Sequence, residues 1–332
     1  MSRRSLIGSV VVAACLLLFA PDAAYAWGPA THTQIGLEIL RSLDLFPSSI
    51  AAVLARYPID FLYGSLAADI SMAKKYAPVG RHCHHWHIAR EIYRAAEGDD
   101  RLRSAMTGYL CHLAADVLAH NTFVPRMLAL TPSTRALGHS YWEHRMDVDV
   151  GPEYAQLARW IVTQFDHSGT DALFHRVLSS TLFTFSTNRR IFRGMIRISG
   201  NESWHSIFDT VLDNSRWDLD PTEVVHYQRY GFEMVADFLL RDELSRAAAE
   251  DPIGDQSLND AKKIRRRALL AGGWQSPEAI LATADQHFPL PSGATRLWEE
   301  RGATRGDAID SVERAISESG TSAPPEMDTI FG

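Results

Sequence analysis

Gly108-Tyr109-Leu110-Cys111-His112-Leu113-Ala114-Ala115-Asp116-Val117-Leu118-Ala119-His120 decides the reading of this chain. Tyr109, Leu110, Leu113 and Val117 recur at helical spacing, and Leu102 and Met106 extend the pattern upstream. Among them His112, Asp116 and His120 stand four residues apart, and each step of four moves a side chain only about 40° around a helix. Three groups able to hold a metal therefore share one stripe.

Upstream, Gly98-Asp99-Asp100 turns this helix away from another that begins near Trp86 and carries Ala89, Ile92, Tyr93 and Ala96. Further helices are expected over about 135–148, 152–165, 171–186, 222–248 and 257–271. Thr31-His32-Thr33-Gln34 fits a capping box, Thr31 as N-cap and Gln34 reaching back, ahead of Ile35, Leu37, Ile39 and Leu40. No run alternates as a half-buried strand does, and no segment repeats at a fixed period, so the fold class is mainly α, a single multi-helix domain. After Gln286 the pattern is broken by Pro289, Pro291, Gly293, Gly302, Gly306 and the stretch from Gly320 to Pro325. The expected division is 27–285 as the helical domain and 286–332 as a loosely structured C-terminal tail.

Residues 1–26 have the parts of a signal peptide: Arg3 and Arg4, an apolar run from Leu6 to Ala20, and Ala24-Tyr25-Ala26 with small residues at the cleavage positions. Val12-Ala13-Ala14-Cys15 loosely resembles a lipobox, but Cys15 lies inside the apolar run. Cleavage after Ala26 would export the chain to the periplasm or beyond and make Trp27 the new terminus, with a free amino group five residues before His32. With 33 basic against 40 acidic residues, a formal net charge of −7, overall charge does not favour nonspecific adhesion to nucleic acid. Lys262-Lys263-Ile264-Arg265-Arg266-Arg267, the one concentrated basic run, reads first as a solvated helix face.

Nine of the fourteen histidines fall between His32 and His144, which demands a cause. Besides the long helix, His139-Ser140-Tyr141-Trp142-Glu143 sets an imidazole and a carboxylate one turn apart, Arg81-His82-Cys83-His84-His85-Trp86-His87 is rich in imidazoles, and Gly64-Ser65-Leu66-Ala67-Ala68-Asp69 ends on an acid. Taken singly each has a bland role: an exposed His–Asp pair is roughly four times commoner than a metal site at that spacing, Asp69 is a cap, Trp27 an anchor, and Cys83 and Cys111 two small buried thiols. Their conjunction in one order is what changes the balance.

The run Trp27-Gly28-x-x-x-His32, Gly64-x-Leu66-x-x-Asp69, the His-rich segment around His84, His112-x-x-x-Asp116 with His120, and His139-x-x-x-Glu143 resembles the zinc-dependent phospholipases C of bacteria and the related single-strand nucleases. The likeness spans about residues 27–147 and rests on order and completeness. It implies a mostly helical domain with up to three zinc ions. One ion would be held by Trp27, through its amino and carbonyl groups, with His32 and Asp116. A second would share Asp116 and take His112, Asp69 and one histidine of the cluster, His84 by its place before Trp86, with His82 and His85 open as alternatives. The third would take His120, His139 and Glu143. In the family the histidine after the helix aspartate stands six residues on; here His120 follows Asp116 by four, and a continuous helix can still deliver it.

Several divalent ions side by side suit attack of a metal-activated hydroxide on a phosphodiester, and the resemblance makes Asp69 the catalytic group that positions or deprotonates the water. A phospholipid would yield diacylglycerol and a phosphorylated head group; the alternatives are single-stranded nucleic acid as substrate, or a non-catalytic zinc-binding protein. Glu143 as the last carboxylate leans toward the phospholipase branch. Transient contact with a membrane surface is compatible with that substrate, and no obligate protein partner is implied. Nothing reads as the C-terminal β-sandwich of the toxin-like members. Cys83 and Cys111 each lie beside a ligand segment, and a disulfide between them would tie the long helix to the His-rich loop.

Overall fold

The computed structural model describes residues 27–131, 138–199, 218–270, 276–301 and 307–318, among which helices follow one another without a strand. They are α1 (Pro29–Arg41), α2 (Ser48–Arg56), α3 (Pro58–Ala67), α4 (Trp86–Ala95), α5 (Asp100–Leu118), α6 (Val124–Leu130), α7 (His139–Val150), α8 (Pro152–Gln164), α9 (Ser168–Val177), α10 (Phe185–Ser199), α11 (Pro221–Arg241), α12 (Asp255–Leu270), α13 (Pro277–His287), α14 (Arg296–Glu300) and α15 (Asp307–Glu318). The expected mainly α class is therefore observed.

α5 is the axis of the molecule. Asp99 caps it by accepting from the Leu102 amide at 3.0 Å, and every residue from Ser104 to Leu118 is buried, His112 and Asp116 included. α3 crosses it almost in backbone contact: a Cβ on Gly64 would lie 1.7 Å from the Ala105 carbonyl oxygen, and one on Gly108 would lie 1.9 Å from that of Phe61. Only glycine at both positions allows the approach, which hangs the 3-10 turn Ala68–Ile70, with Asp69, beside α5. α1 packs on α3 and α8, and α11 covers α5 from the other side.

The helix starts are less predictable than the helices. Thr31 is not the N-cap of α1; Gly28 is, with Pro29 in the first turn. The orphan amides of that turn are taken by a carboxylate from far along the chain: Asp147 accepts from the Ala30 amide at 3.0 Å, the Thr31 amide at 2.9 Å and the Thr31 hydroxyl at 2.7 Å. A Cβ on Gly28 would stand 2.2 Å from the Asp147 carboxylate, so a side chain there would expel the cap. The helix expected over about 171–186 is two, α9 and α10, and α11 stops at Arg241, followed by the 3-10 turns Asp242–Leu244 and Ala247–Ala249.

The loose tail expected from residue 286 is not loose throughout. α15 buries Ile309, Val312 and Ile316 and packs on α1, α2 and α3, because those three residues, three and four apart, form an apolar stripe on an otherwise charged helix. Cys83 and Cys111 are two separate buried thiols, not a disulfide. The signal segment lies outside the described residues, as do 319–332.

Candidate metal centre

The imidazoles and carboxylates singled out in the sequence converge in two adjoining groups. In the first, α1 brings His32, the turn after α3 brings Asp69, the loop before α4 brings His84, and α5 brings His112 and Asp116. Asp116 faces two ways: its Oδ1 lies 3.3 Å from His32 Nε2, while its Oδ2 lies 3.1 Å from His112 Nε2 and 3.3 Å from His84 Nε2. His84 Nε2 also stands 3.2 Å from Asp69 Oδ1 and 3.1 Å from His112 Nε2, and the rings of His32 and His112 stack with centroids 3.9 Å apart. His32, Asp69, His84, His112 and Asp116 are all buried. Of the three histidines left open in the cluster, it is His84 that enters this group; His82 sits behind it, its Nδ1 accepting from the His84 amide at 3.1 Å, and His85 caps α4.

The second group joins His120 to the His139–Glu143 pair of α7. Here the sequence expectation of a plain helix needs correction. From Ala119 to Phe123 the long helix widens into a π turn, a feature that recurs at functional sites. The turn redirects the chain just where His120 must leave the stripe of His112 and Asp116. The side chain of Asn121 holds it, its Nδ2 donating to the Val117 carbonyl at 3.1 Å and to the Asp251 carbonyl at 2.8 Å. His120 Nδ1 lies 2.6 Å from the Pro252 carbonyl, which requires the proton on that nitrogen and leaves Nε2 bare. Nε2 faces Glu143 Oε1 at 3.9 Å, and the ring meets that of His139 edge on at 5.0 Å. Imidazoles held in this way by a carbonyl behind them are what a zinc site uses.

The donor set fits the ion. Both oxygens of Asp116, both of Glu143, both ring nitrogens of His32 and Nε2 of His120 are buried without an aligned hydrogen-bond partner. Each such atom costs about 1–3 kcal/mol when left unmet, a cost that a shared cation would offset. The ligand atoms of His32, His112 and Asp116, of Asp69, His84 and His112, and of His120, His139 and Glu143 fall within 4.8 Å of one another in each triad, and neutral imidazole with carboxylate is a zinc-like mixture. Trp27 is fully buried, packed on Phe123, and its neighbour Gly28 accepts from the His32 amide at 3.2 Å, which fixes this segment one turn from His32.

Two residues that sequence reasoning missed complete the site. Asp147, one turn beyond Glu143 on α7, caps α1 and so ties the helix of His32 to the helix of His139. Lys74 is the other. Ala73, in the left-handed region at φ 54°, turns the chain so that the Lys74 side chain runs inward and is buried, its ammonium paired with Asp69 and 3.2 Å from His84 Nε2. A left-handed alanine costs about 1–2 kcal/mol, strain of the kind that concentrates at functional sites. Burial works against the charge on Asp69, yet Lys74, His112 and His84 hold its carboxyl below the usual range. In the second group the balance is opposite: burial, and the negative charges of Asp69 and Asp116, push Glu143 well above the usual range. Burial pulls His112 down to about 4 and lowers His120 too, so both imidazoles stay in the neutral form that metals need.

The family model described as zinc dependent phospholipase C matches residues 31–181, a stretch that contains every side chain of both groups. No curated protein and no solved structure matches the chain.

Proposed function

We propose, from the membership of this chain in the zinc-dependent phospholipase C family over residues 31–181, that it is an exported phosphodiesterase hydrolysing the glycerol-side phosphodiester of phospholipids. The observation that carries the reading is the two-way placement of Asp116 between His32 on one side and His84 and His112 on the other. A single carboxylate so placed suits two cations side by side, and paired cations suit in-line displacement at phosphorus. When bound, zinc supplies Lewis acidity, making water acidic near neutral pH and neutralising charge on phosphoryl oxygens.

The chain's own residues have separable tasks. Asp69, kept ionised by Lys74, positions the attacking water or takes its proton. Lys74 stands beside Asp69 as a fixed positive charge where a phosphoryl oxygen gathers negative charge. Pro252 behind His120, and Asp147 behind the start of α1, hold donors in place with little motion to lose. Trp27, set free at its amino group by cleavage after Ala26, adds a nitrogen to the His32 side of the centre.

Turnover of a chromogenic phosphodiester and of phosphatidylcholine should disappear with a chelator and return with zinc. Protein beginning at Trp27 should hold one more zinc than protein with extra residues before it, and most of the activity should go with that ion. Fully zinc-loaded protein that turns over neither substrate would overturn the proposal, and cleavage of single-stranded DNA in their place would move the chain to the nuclease branch.

A further inference from the structure

The loop between Asp69 and His84 has an inner side and an outer side. The inner side delivers Lys74 to the metal centre. The outer side carries Tyr76, 52 % exposed, and Val79, fully exposed. This loop is laced to the one that joins α9 to α10: the Thr181 hydroxyl donates to the Met72 carbonyl at 2.6 Å, Asn188 Oδ1 accepts from the Met72 amide at 3.2 Å, and Arg81 donates to Ser179 Oγ at 3.2 Å and the Val177 carbonyl at 2.9 Å. The second loop is also tipped with apolar side chains, Leu182 at 60 % exposure and Phe183 at 38 %. Four large apolar side chains thus stand in water on two joined loops at the rim of one centre, whereas those of the core are sealed.

Charge sets the same rim apart. The chain is acidic, with a formal net charge of −7, and around the first loop Lys74 is paired with Asp69, Arg81 with Glu91 and Arg90 with Asp242, so the positive charge of this rim comes from the segment after it. Residues 172–201 hold five arginines, of which Arg189 pairs with Asp171 at 3.0 Å. On α10, Asn188, Phe192 and Ile196, four apart, turn inward, while Arg190, Arg193 and Arg197 form a stripe on another side, with Arg190 and Arg197 exposed. Apolar tips that can enter acyl chains, set among arginines that can meet head-group phosphates, are the parts of an interfacial surface.

Resting on the phospholipid reading above, we infer that the loops 71–81 and 178–184, with the arginine stripe of α10, form the face on which the protein settles on an anionic phospholipid bilayer, which brings the lipid phosphodiester to the rim of the centre. Val79 and Leu182 offer no plane for a base to stack on, whereas Tyr76 and Phe183 do, and binding to single-stranded DNA is therefore followed beside the vesicles.

The test uses full zinc-loaded protein, Leu182→Ser/Phe183→Ser and Arg190→Gln/Arg197→Gln double variants, and vesicles of phosphatidylcholine with and without phosphatidylglycerol. Co-sedimentation with the anionic vesicles should weaken about tenfold or more in the first variant and about twenty-fivefold in the second, at about fivefold per arginine. Turnover of a soluble chromogenic phosphodiester should stay within about twofold of wild type in both, which also shows that they fold. Wild-type binding that ignores phosphatidylglycerol, or variants that sediment like wild type, would overturn the inference. So would variants that keep their vesicle binding but lose single-stranded DNA. If no protein hydrolyses the soluble ester the functional reading fails, while the sedimentation arm still decides the surface.

Discussion

The first group of the centre and the second draw on the same side-chain types but balance their carboxylates differently. In the first, Asp69 has a lysine ammonium against it and Asp116 is ringed by three imidazoles, and both acids are held below their usual range. In the second, Glu143 has only the imidazoles of His120 and His139, feels the negative charge of the first group, and is pushed the other way. The groups differ in origin too. The first is assembled from segments that all precede Leu118, whereas His120 is fixed from the far half of the chain by Pro252. The first group thus carries part of its own countercharge, Lys74 against Asp69, and leaves the Asp116 side to an ion, while the second depends on an ion for all of it.

The first group turns on Asp116, which faces both of its sides. Asp116→Asn keeps the size of the side chain but takes away its charge from both sides at once. It is expected to strip zinc from the first group, leave His120, His139 and Glu143 occupied, and lower turnover of a soluble phosphodiester by about a thousandfold, since each lost metal contact to the transition state is worth several kcal/mol. Zinc counted per chain beside the rate checks it. Loss of all zinc would mean that the groups are one unit and the comparison false.

Much of this centre is legible in the amino-acid sequence, because spacing of four on a helix states which side chains share a face. His112 with Asp116, and His139 with Glu143, follow from it directly. What spacing cannot state is partnership across the fold. Asp147 caps α1 from 116 residues away, so the local Thr31–Gln34 pattern won in the sequence and lost in the structure. Lys74 sits in a polar stretch where a lysine is normally solvated, and only the left-handed turn at Ala73 sends it inward. The π turn leaves no compositional trace, so His120 could be assigned to its group but not to its geometry. In α15 the stripe of Ile309, Val312 and Ile316 is diluted by Asp310, Glu313 and Arg314, and the glycines and prolines around it obscure its period.

Lys74→Met makes the first group resemble the second. With the ammonium gone, Asp69 is a buried carboxylate without its cation, and the zinc-free protein should lose about 3 kcal/mol of stability. Zinc should then recover more stability than it does in wild type and bind the Asp69–His84–His112 triad more tightly, because no positive charge competes for the same oxygens. Denaturant midpoints with and without zinc, together with a zinc titration, give both numbers. A variant whose zinc-free stability equals that of wild type would show that Lys74 is not the countercharge of Asp69.

Glu143→Gln probes the other side with the smallest effect, and its sign is fixed by linkage. A carboxyl whose folded pKa is raised contributes stability that is fully present below its unfolded value of 4.5 and is lost as the pH climbs through the folded one. Zinc-free wild type should therefore weaken from pH 4.5 upward by about 1.4 kcal/mol per pH unit from this residue, until the folded group ionises. Zinc-free Glu143→Gln has no proton to lose there, so the difference between the two proteins, followed by denaturation across that range, should grow in favour of the variant with rising pH. With zinc bound the order should reverse, since the amide is the poorer ligand and the ion then supplies the charge that Glu143 otherwise lacks. A flat difference would place Glu143 on the same footing as Asp69 and erase the contrast between the groups.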